Sequence, residues 1–232
     1  MNKSKNKQLY RIAIIAIILI FISISFFRCS SENSNDYDPH RFDEEIKKIA
    51  ALPVPEGDGL VVFTGSSSIR MWEDIKKDCS GYSLVNTGFG GSHMSDLLFF
   101  IDQTILRFEP DKVFIYEGDN DISAEKSPNA ILKTTKQVVH KILNSNPDIT
   151  IHFISAKPSS SRWQYKEQYI TFNALLKKYC EDNPQLFYID VWDKMLNDSG
   201  RPNPNIFISD SLHMNRKGYL LWKDIVCKDF DN

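Results

Sequence analysis

Cysteine is scarce in this chain. Cys29, Cys79, Cys180 and Cys227 are the only four in 232 residues, and no two form a Cys-x-x-Cys pair. That spacing excludes a zinc ribbon and a dithiol redox motif, and the odd number beyond Cys29 offers no disulfide framework to read. Buried free thiols are the expectation. Also missing is any Lys/Arg cluster. Residues 1–28 carry five basic residues and no acid, leaving 23 basic against 30 acidic in the remainder, a net of −7. A mildly acidic body without a basic patch excludes nucleic acid as the expected partner. The chain has no Gly-x-x-x-x-Gly-Lys-Ser/Thr phosphate loop. It also has no Gly-x-Ser-x-Gly elbow, because Ile69 stands where that motif needs its second glycine. Internal repeats and low-complexity tracts are absent from the body, which points to one domain.

A membrane-spanning run of full length is lacking too. Residues 12–27 hold sixteen uncharged residues, which as a helix reach roughly 24 Å against the ~30 Å hydrocarbon core of a bilayer. Preceded by basic residues and followed by Cys29 and a polar run, this segment reads as a signal peptide or an N-terminal anchor over residues 1–28. Residues 29–39 then form a polar tether, and residues 40–232 the folded domain. The cysteine after the apolar run resembles a bacterial lipoprotein signal, which implies lipidation of Cys29. Arg28 departs from that pattern, since a small residue normally precedes the cysteine. Either processing outcome leaves the domain exported, extracytoplasmic and held to the membrane through its N-terminus only.

What is present is a regular alternation. Apolar, β-rich runs at residues 60–63, 83–86, 112–116, 150–154 and 186–191 read as buried strands. Between and after them, helical spacing predicts helices near residues 40–51, 71–79, 95–108, 130–143, 163–179 and 215–226. Five apolar strands separated by helices imply an α/β fold, a three-layer α/β/α sandwich around a five-stranded parallel sheet.

Polar residues gather just after the strands, on the edge where such sheets bind ligands. Gly65-Ser66-Ser67-Ser68 follows the first strand, at what reads as a helix start, where serine also serves as an ordinary N-cap. Asn86-Thr87-Gly88-Phe89-Gly90-Gly91 follows the second, Gly118-Asp119-Asn120-Asp121 the third, and Asp210-Ser211-Leu212-His213 precedes the last helix. A carboxylate three residues before an imidazole can reach Nδ1–H within one helical turn and so fix the tautomer a base requires.

Taken in order, the four blocks resemble the SGNH hydrolase superfamily, the GDSL-type esterases and lipases, over residues 60–222. Residues 63–69 and 157–163 are similar to a bacterial branch near platelet-activating-factor acetylhydrolase. The resemblance implies a flavodoxin-like SGNH fold and a serine esterase acting on carboxylic esters of lipids or glycans, with short acyl groups such as acetyl. It implies Ser67 as nucleophile, Asp210 and His213 as its partners, and an oxyanion hole from the Ser67 and Gly91 backbone N–H groups and the Asn120 side chain. Metal and organic cofactor are not required by that chemistry. Ser66 stands where the family has aspartate, which makes the register ambiguous among three serines; the spacing from Gly65 selects Ser67.

Other residues carry weaker expectations. Arg162 and Trp163, on a loop after the fourth strand, are candidates to line the acyl or alcohol side of the site. His93 lacks a carboxylate spacing to support it as a base. His140, His152 and Trp72 are expected to be structural, and Asp121 to brace the Asn120 loop. Asp119 and Asp121 lack the further ligands that a metal site would need.

Overall fold

The computed structural model describes residues 38–231. Cys29, the signal or anchor segment and most of the tether lie outside them. The folded part opens with a 3-10 turn, Pro39–Phe42, and helix α1, Asp43–Ala50. Strand β1 is Val61–Gly65, followed by the short helices α2, Ser67–Arg70, and α3, Ile75–Asp78. Strand β2, Leu84–Asn86, leads to α4, Met94–Phe99, and α5, Ile101–Thr104. Strand β3 is Lys112–Tyr116, then come α6, Asp119–Ser123, and α7, Pro128–Ser145. Strand β4, Thr150–Ile154, precedes α8, Lys166–Glu181, and β5 is Leu186–Ile189. Helix α9, Arg216–Val226, follows a long loop.

The five strands form one all-parallel sheet in the order β2-β1-β3-β4-β5. Side chains alternate along each strand, so both faces are apolar and both are covered. Val62, Val113, Ile115 and Ile151 point into a core with α1, α4, α7 and α8. Val61, Phe63, Phe114 and Tyr116 point into a second core with α2, α3 and α9. This is the expected α/β/α sandwich. The strand order reverses between β1 and β3, and at such a switch point the carboxyl ends of two strands open a crevice.

Where elements differ from the sequence reading, tertiary contacts decide. The helix expected at 71–79 is broken, because the chain turns at Trp72 to bury its indole, whose Nε1–H donates to Asp78 Oδ2 at 2.8 Å. The helix expected at 95–108 is divided at Phe100, which packs inward on Phe89 while Phe99 stays exposed. Strand β5 stops at Ile189 because the Val191 N–H goes to Ser155 Oγ and the Trp192 N–H to Asp190 Oδ1. Cys79 and Cys227 are not free thiols: they form a disulfide across 148 residues, a separation that leaves no local signature. Cys180 is free and buried.

Candidate active site

Ser67 sits at the first position of α2, directly beyond β1. The turn that puts it there depends on Gly65, with φ +124°. A Cβ at Gly65 would stand 2.0 Å from the Tyr116 carbonyl oxygen, so no other residue fits. The Ser66 N–H donates to that same carbonyl, fastening the turn to β3.

The imidazole of His213 reaches Ser67 from the far end of the chain. His213 Nε2 lies 2.9 Å from Ser67 Oγ, and His213 Nδ1 lies 2.6 Å from Asp210 Oδ2. With Nδ1 protonated and donating to Asp210, Nε2 is left to accept the serine O–H. The Asp210–His213 segment is a turn rather than the helical turn expected from spacing. Ser211 takes φ +56°, and Asp210 Oδ1 accepts the backbone N–H groups of Leu212 and His213. Burial would raise the Asp210 pKa, but the hydrogen bonds from the His213 ring and these two N–H groups outweigh it and hold the carboxyl at about 2.

Three links join the serine segment to the histidine segment. Arg216 grips the Asp78 carboxylate by donating from Nη1 and Nη2, at 2.5 and 2.6 Å. The Cys79–Cys227 disulfide ties the end of α3 to the end of α9. Tyr219 donates its hydroxyl to the Ser68 carbonyl at 3.0 Å. Asp78 is buried beneath these links, and Arg216 holds its pKa below the usual carboxylate value.

Gly91 and Asn120 face the same cavity, of about 480 Å³, as Ser67 and His213. Gly91 takes φ +81°, open to glycine without strain, and a Cβ there would meet nothing within 4 Å. The loop before it is pinned to the serine turn by Phe89 N–H to the Gly65 carbonyl and by Asn86 Nδ2 to the Ile69 carbonyl. Asn120 spends one Nδ2 hydrogen on the Ser92 carbonyl at 2.8 Å. Its second Nδ2 hydrogen and the Ser67 and Gly91 N–H groups have no hydrogen-bond partner among the described residues. Asp121 accepts the Met94 N–H at 2.9 Å and pairs with Lys126, bracing the Asn120 loop against α4.

Arg162 lines this cavity and holds Asn120, donating from Nη2 to Asn120 Oδ1 at 2.9 Å. Its Nη1 pairs with Asp119, a buried carboxylate that also accepts from Tyr116 and Tyr169 and faces Lys157. Burial opposes ionisation of Asp119, yet the Lys157 and Arg162 cations with the Tyr169 hydroxyl hold its pKa at about 2. Below Gly91, Ser92 Oγ donates to Glu117 Oε1, and Glu117 Oε2 has no partner among the described residues. Burial, reinforced by Asp121, pushes the Glu117 pKa well above the usual value.

Trp163 does not line the cavity: its indole lies between Trp192 and the Arg201 guanidinium. His93 lies beside Lys126; His140 is exposed on the outer face of α7 beside Asn144; His152 is buried between Phe114 and Phe187 and paired with Asp229. Among the described residues no three His, Cys, Asp or Glu side chains are grouped to hold a metal ion. Glu45 and Arg70 also face the cavity. Sequence reading passed over both, since neither lies in a motif; only the position of Arg70 three residues after Ser67 could have singled it out.

Comparison with known proteins agrees with this geometry. The sequence model of the GDSL-like Lipase/Acylhydrolase family matches residues 57–221, a span that holds Ser67, Gly91, Asn120, Asp210 and His213. The fold is similar to that of a Streptococcus pneumoniae protein provisionally designated a platelet activating factor. That pair shares 18% identity at a TM-score of 0.73, over 90% of this chain and 98% of the other. It is similar as well to a GDSL-like lipase from Bacteroides thetaiotaomicron, at 17% identity and TM-score 0.70, over 84% of this chain and 98% of that one. A Clostridium thermocellum family 3 carbohydrate esterase aligns at 13% identity and TM-score 0.60, over 75% and 98% of the two chains. A comparison with curated protein sequences found no match. Identities this low speak for the fold, and the family rests on the match to its sequence model: this chain belongs to the GDSL-like lipase/acylhydrolase family and is a hydrolase acting on ester bonds.

Proposed function

We propose that this protein is a serine esterase that removes short acyl groups, such as acetyl, from esters of lipids or glycans. The observation that carries the reading is the unbroken line from Ser67 Oγ through the His213 ring to Asp210, with spacings of 2.9 and 2.6 Å. Ser67 Oγ attacks the ester carbonyl while His213 Nε2 takes its proton. Asp210 stays ionised and stabilises the imidazolium that results. The tetrahedral oxyanion accepts hydrogen bonds from the Ser67 and Gly91 N–H groups and from Asn120 Nδ2. The alcohol leaves with the proton held on His213, and a water, deprotonated by the same ring, releases the acid from Ser67.

The site works outside the cytoplasm, on a domain held to the membrane by its N-terminal segment or by lipid on Cys29. Support comes from the basic and apolar leader and from a disulfide, which persists in oxidising compartments. Hydrolysis of p-nitrophenyl esters of increasing chain length, by wild type and Ser67→Ala, tests the activity. Turnover that is fastest for acetate and absent in the variant is expected. A folded wild type without turnover would leave a binding module on the same fold.

A further inference from the structure

Most of the residues that line the cavity around Ser67 are polar or charged. Beyond the residues given roles above, the cavity is formed by Glu45, Arg70, Gly90 and Leu212, and Leu212 is the one apolar side chain among its lining residues. A buried methylene gains about 0.8 kcal/mol only when it leaves water for an apolar wall. Leu212 is the single apolar side chain that lines the cavity, so a long acyl chain finds little aliphatic wall within it.

Two charged heads meet in the same cavity. Arg70 Nε stands 3.7 Å from Glu45 Oε1, and the two side chains keep 48% and 36% of their surface exposed. Each comes from a different element: Arg70 ends α2, one turn on from Ser67, and Glu45 belongs to α1. Gly90 makes room for the contact, since a Cβ there would stand 2.6 Å from Arg70 Nε, and its N–H faces Glu45 Oε1 at 3.4 Å. At 3.7 Å the pair is not closed into a tight hydrogen bond, so the guanidinium keeps N–H donors and the carboxylate keeps lone pairs turned to solvent.

A guanidinium beside a carboxylate suits neighbouring hydroxyls, one accepting from Arg70 while the next donates to Glu45. Charge separates this from the alternatives. Arg70 faces Glu45 and Arg162 faces Asp119, so neither cavity guanidinium is left to balance an anionic headgroup. We infer that Glu45 and Arg70 form a subsite for the alcohol side of the ester, and that this alcohol is a neutral polyhydroxyl group, a saccharide carrying O-acetyl. The inference rests on the esterase reading and narrows it.

The test compares kcat/KM of the full-length protein for three substrates: p-nitrophenyl acetate, a mono-O-acetylated methyl glycoside, and an acetylated glycerophospholipid. The wild type is expected to favour the glycoside over the phospholipid and to be inhibited by the deacetylated methyl glycoside. Glu45→Gln and Arg70→Gln should each lower the ratio of glycoside to p-nitrophenyl acetate turnover by roughly tenfold, the loss expected of one hydrogen bond to a charged group. The two variants check each other, and the wild-type preference needs neither. A preference for the phospholipid, or an unchanged ratio in both folded variants, overturns the subsite while leaving the esterase intact. Absence of turnover on all three substrates overturns the esterase reading and the subsite with it.

Discussion

Arg162 donates from Nη2 to Asn120 Oδ1 at 2.9 Å, and so fixes which way the Asn120 amide faces. With its oxygen held by Arg162 and one nitrogen hydrogen on the Ser92 carbonyl, the remaining hydrogen has a single direction left. Arg162 is thereby a positioning residue for Asn120. Asn120→Ala should lower kcat by about 10²–10³. Arg162→Met should lower kcat by roughly tenfold with KM little changed, and should cost almost nothing further when Asn120 is already alanine. Additive losses in that double-mutant cycle, or a loss confined to KM, would mean that Arg162 acts on the substrate instead.

Asp210 offers a second prediction. Its carboxyl titrates at about 2, so it stays ionised throughout the range in which an esterase is assayed. Loss of activity at mildly acidic pH therefore does not report protonation of Asp210. Asp210→Asn should leave the turn intact, since an amide oxygen can still accept the Leu212 and His213 N–H groups. It should nonetheless drop kcat by roughly 10³–10⁴, because an amide no longer stabilises the imidazolium. Steady-state kinetics across pH, with circular dichroism as a check on folding, decide the matter.

Glu117 predicts a pH dependence of stability. Its pKa is raised in the folded protein by burial, so the folded state holds a proton that the unfolded chain releases near the ordinary carboxylate value. Stability should be greatest in mild acid and fall as pH rises through the window from about 4.5 toward the raised folded value. Glu117→Gln removes this titration while keeping an oxygen to accept from Ser92 Oγ. Thermal unfolding should show the variant gaining on the wild type from pH 5 to pH 8. A constant difference across that range would contradict the assignment.

The links between the serine and histidine segments predict that loss of the disulfide costs stability far more than activity. Closing a loop of 148 residues contributes to stability in the chain-entropy account, and losing such a bridge typically costs about 2–5 kcal/mol. Cys79→Ser with Cys227→Ser should lower the unfolding free energy extracted from urea denaturation by that amount. Because Arg216 and Tyr219 still bridge the two segments, kcat at 25 °C should fall by less than about threefold. Arg216→Met, which strands the buried Asp78 carboxylate, should be the more damaging change.

Much of this architecture was legible because its signals are local. Val61-Val62-Phe63 and Val113-Phe114-Ile115 read as strands buried on both faces, and they are. Gly65, Gly91 and Gly118 mark turns beyond strands, and each takes a left-handed φ. Short motifs single out Ser67, Asn120, Asp210 and His213, and the structure brings Ser67, Asn120 and His213 to one crevice, with Asp210 against the His213 ring. What stayed hidden depends on distant partners. Nothing near Cys79 announces Cys227, nothing near Asp78 announces Arg216, and the bond from Arg162 to Asn120 spans 42 residues. Helix breaks at Trp72 and Phe100 arise because one side chain prefers the core over continued helix, a choice that periodicity does not record. Trp163 looked like a pocket residue from its place after β4, but Trp192 and Arg201 claim its indole.

Ser67, rather than Ser66 or Ser68, is the serine we propose to form the covalent intermediate. A fluorophosphonate probe followed by peptide mass spectrometry reads this directly. Ser66 and Ser68 are buried at 1% and 2% exposure, and His213 contacts Ser67. Stoichiometric labelling of Ser67 is expected, with esterase turnover lost in step with labelling, and neither labelling nor turnover in Ser67→Ala. Label on Ser66 or Ser68, or full turnover in Ser67→Ala, would contradict it.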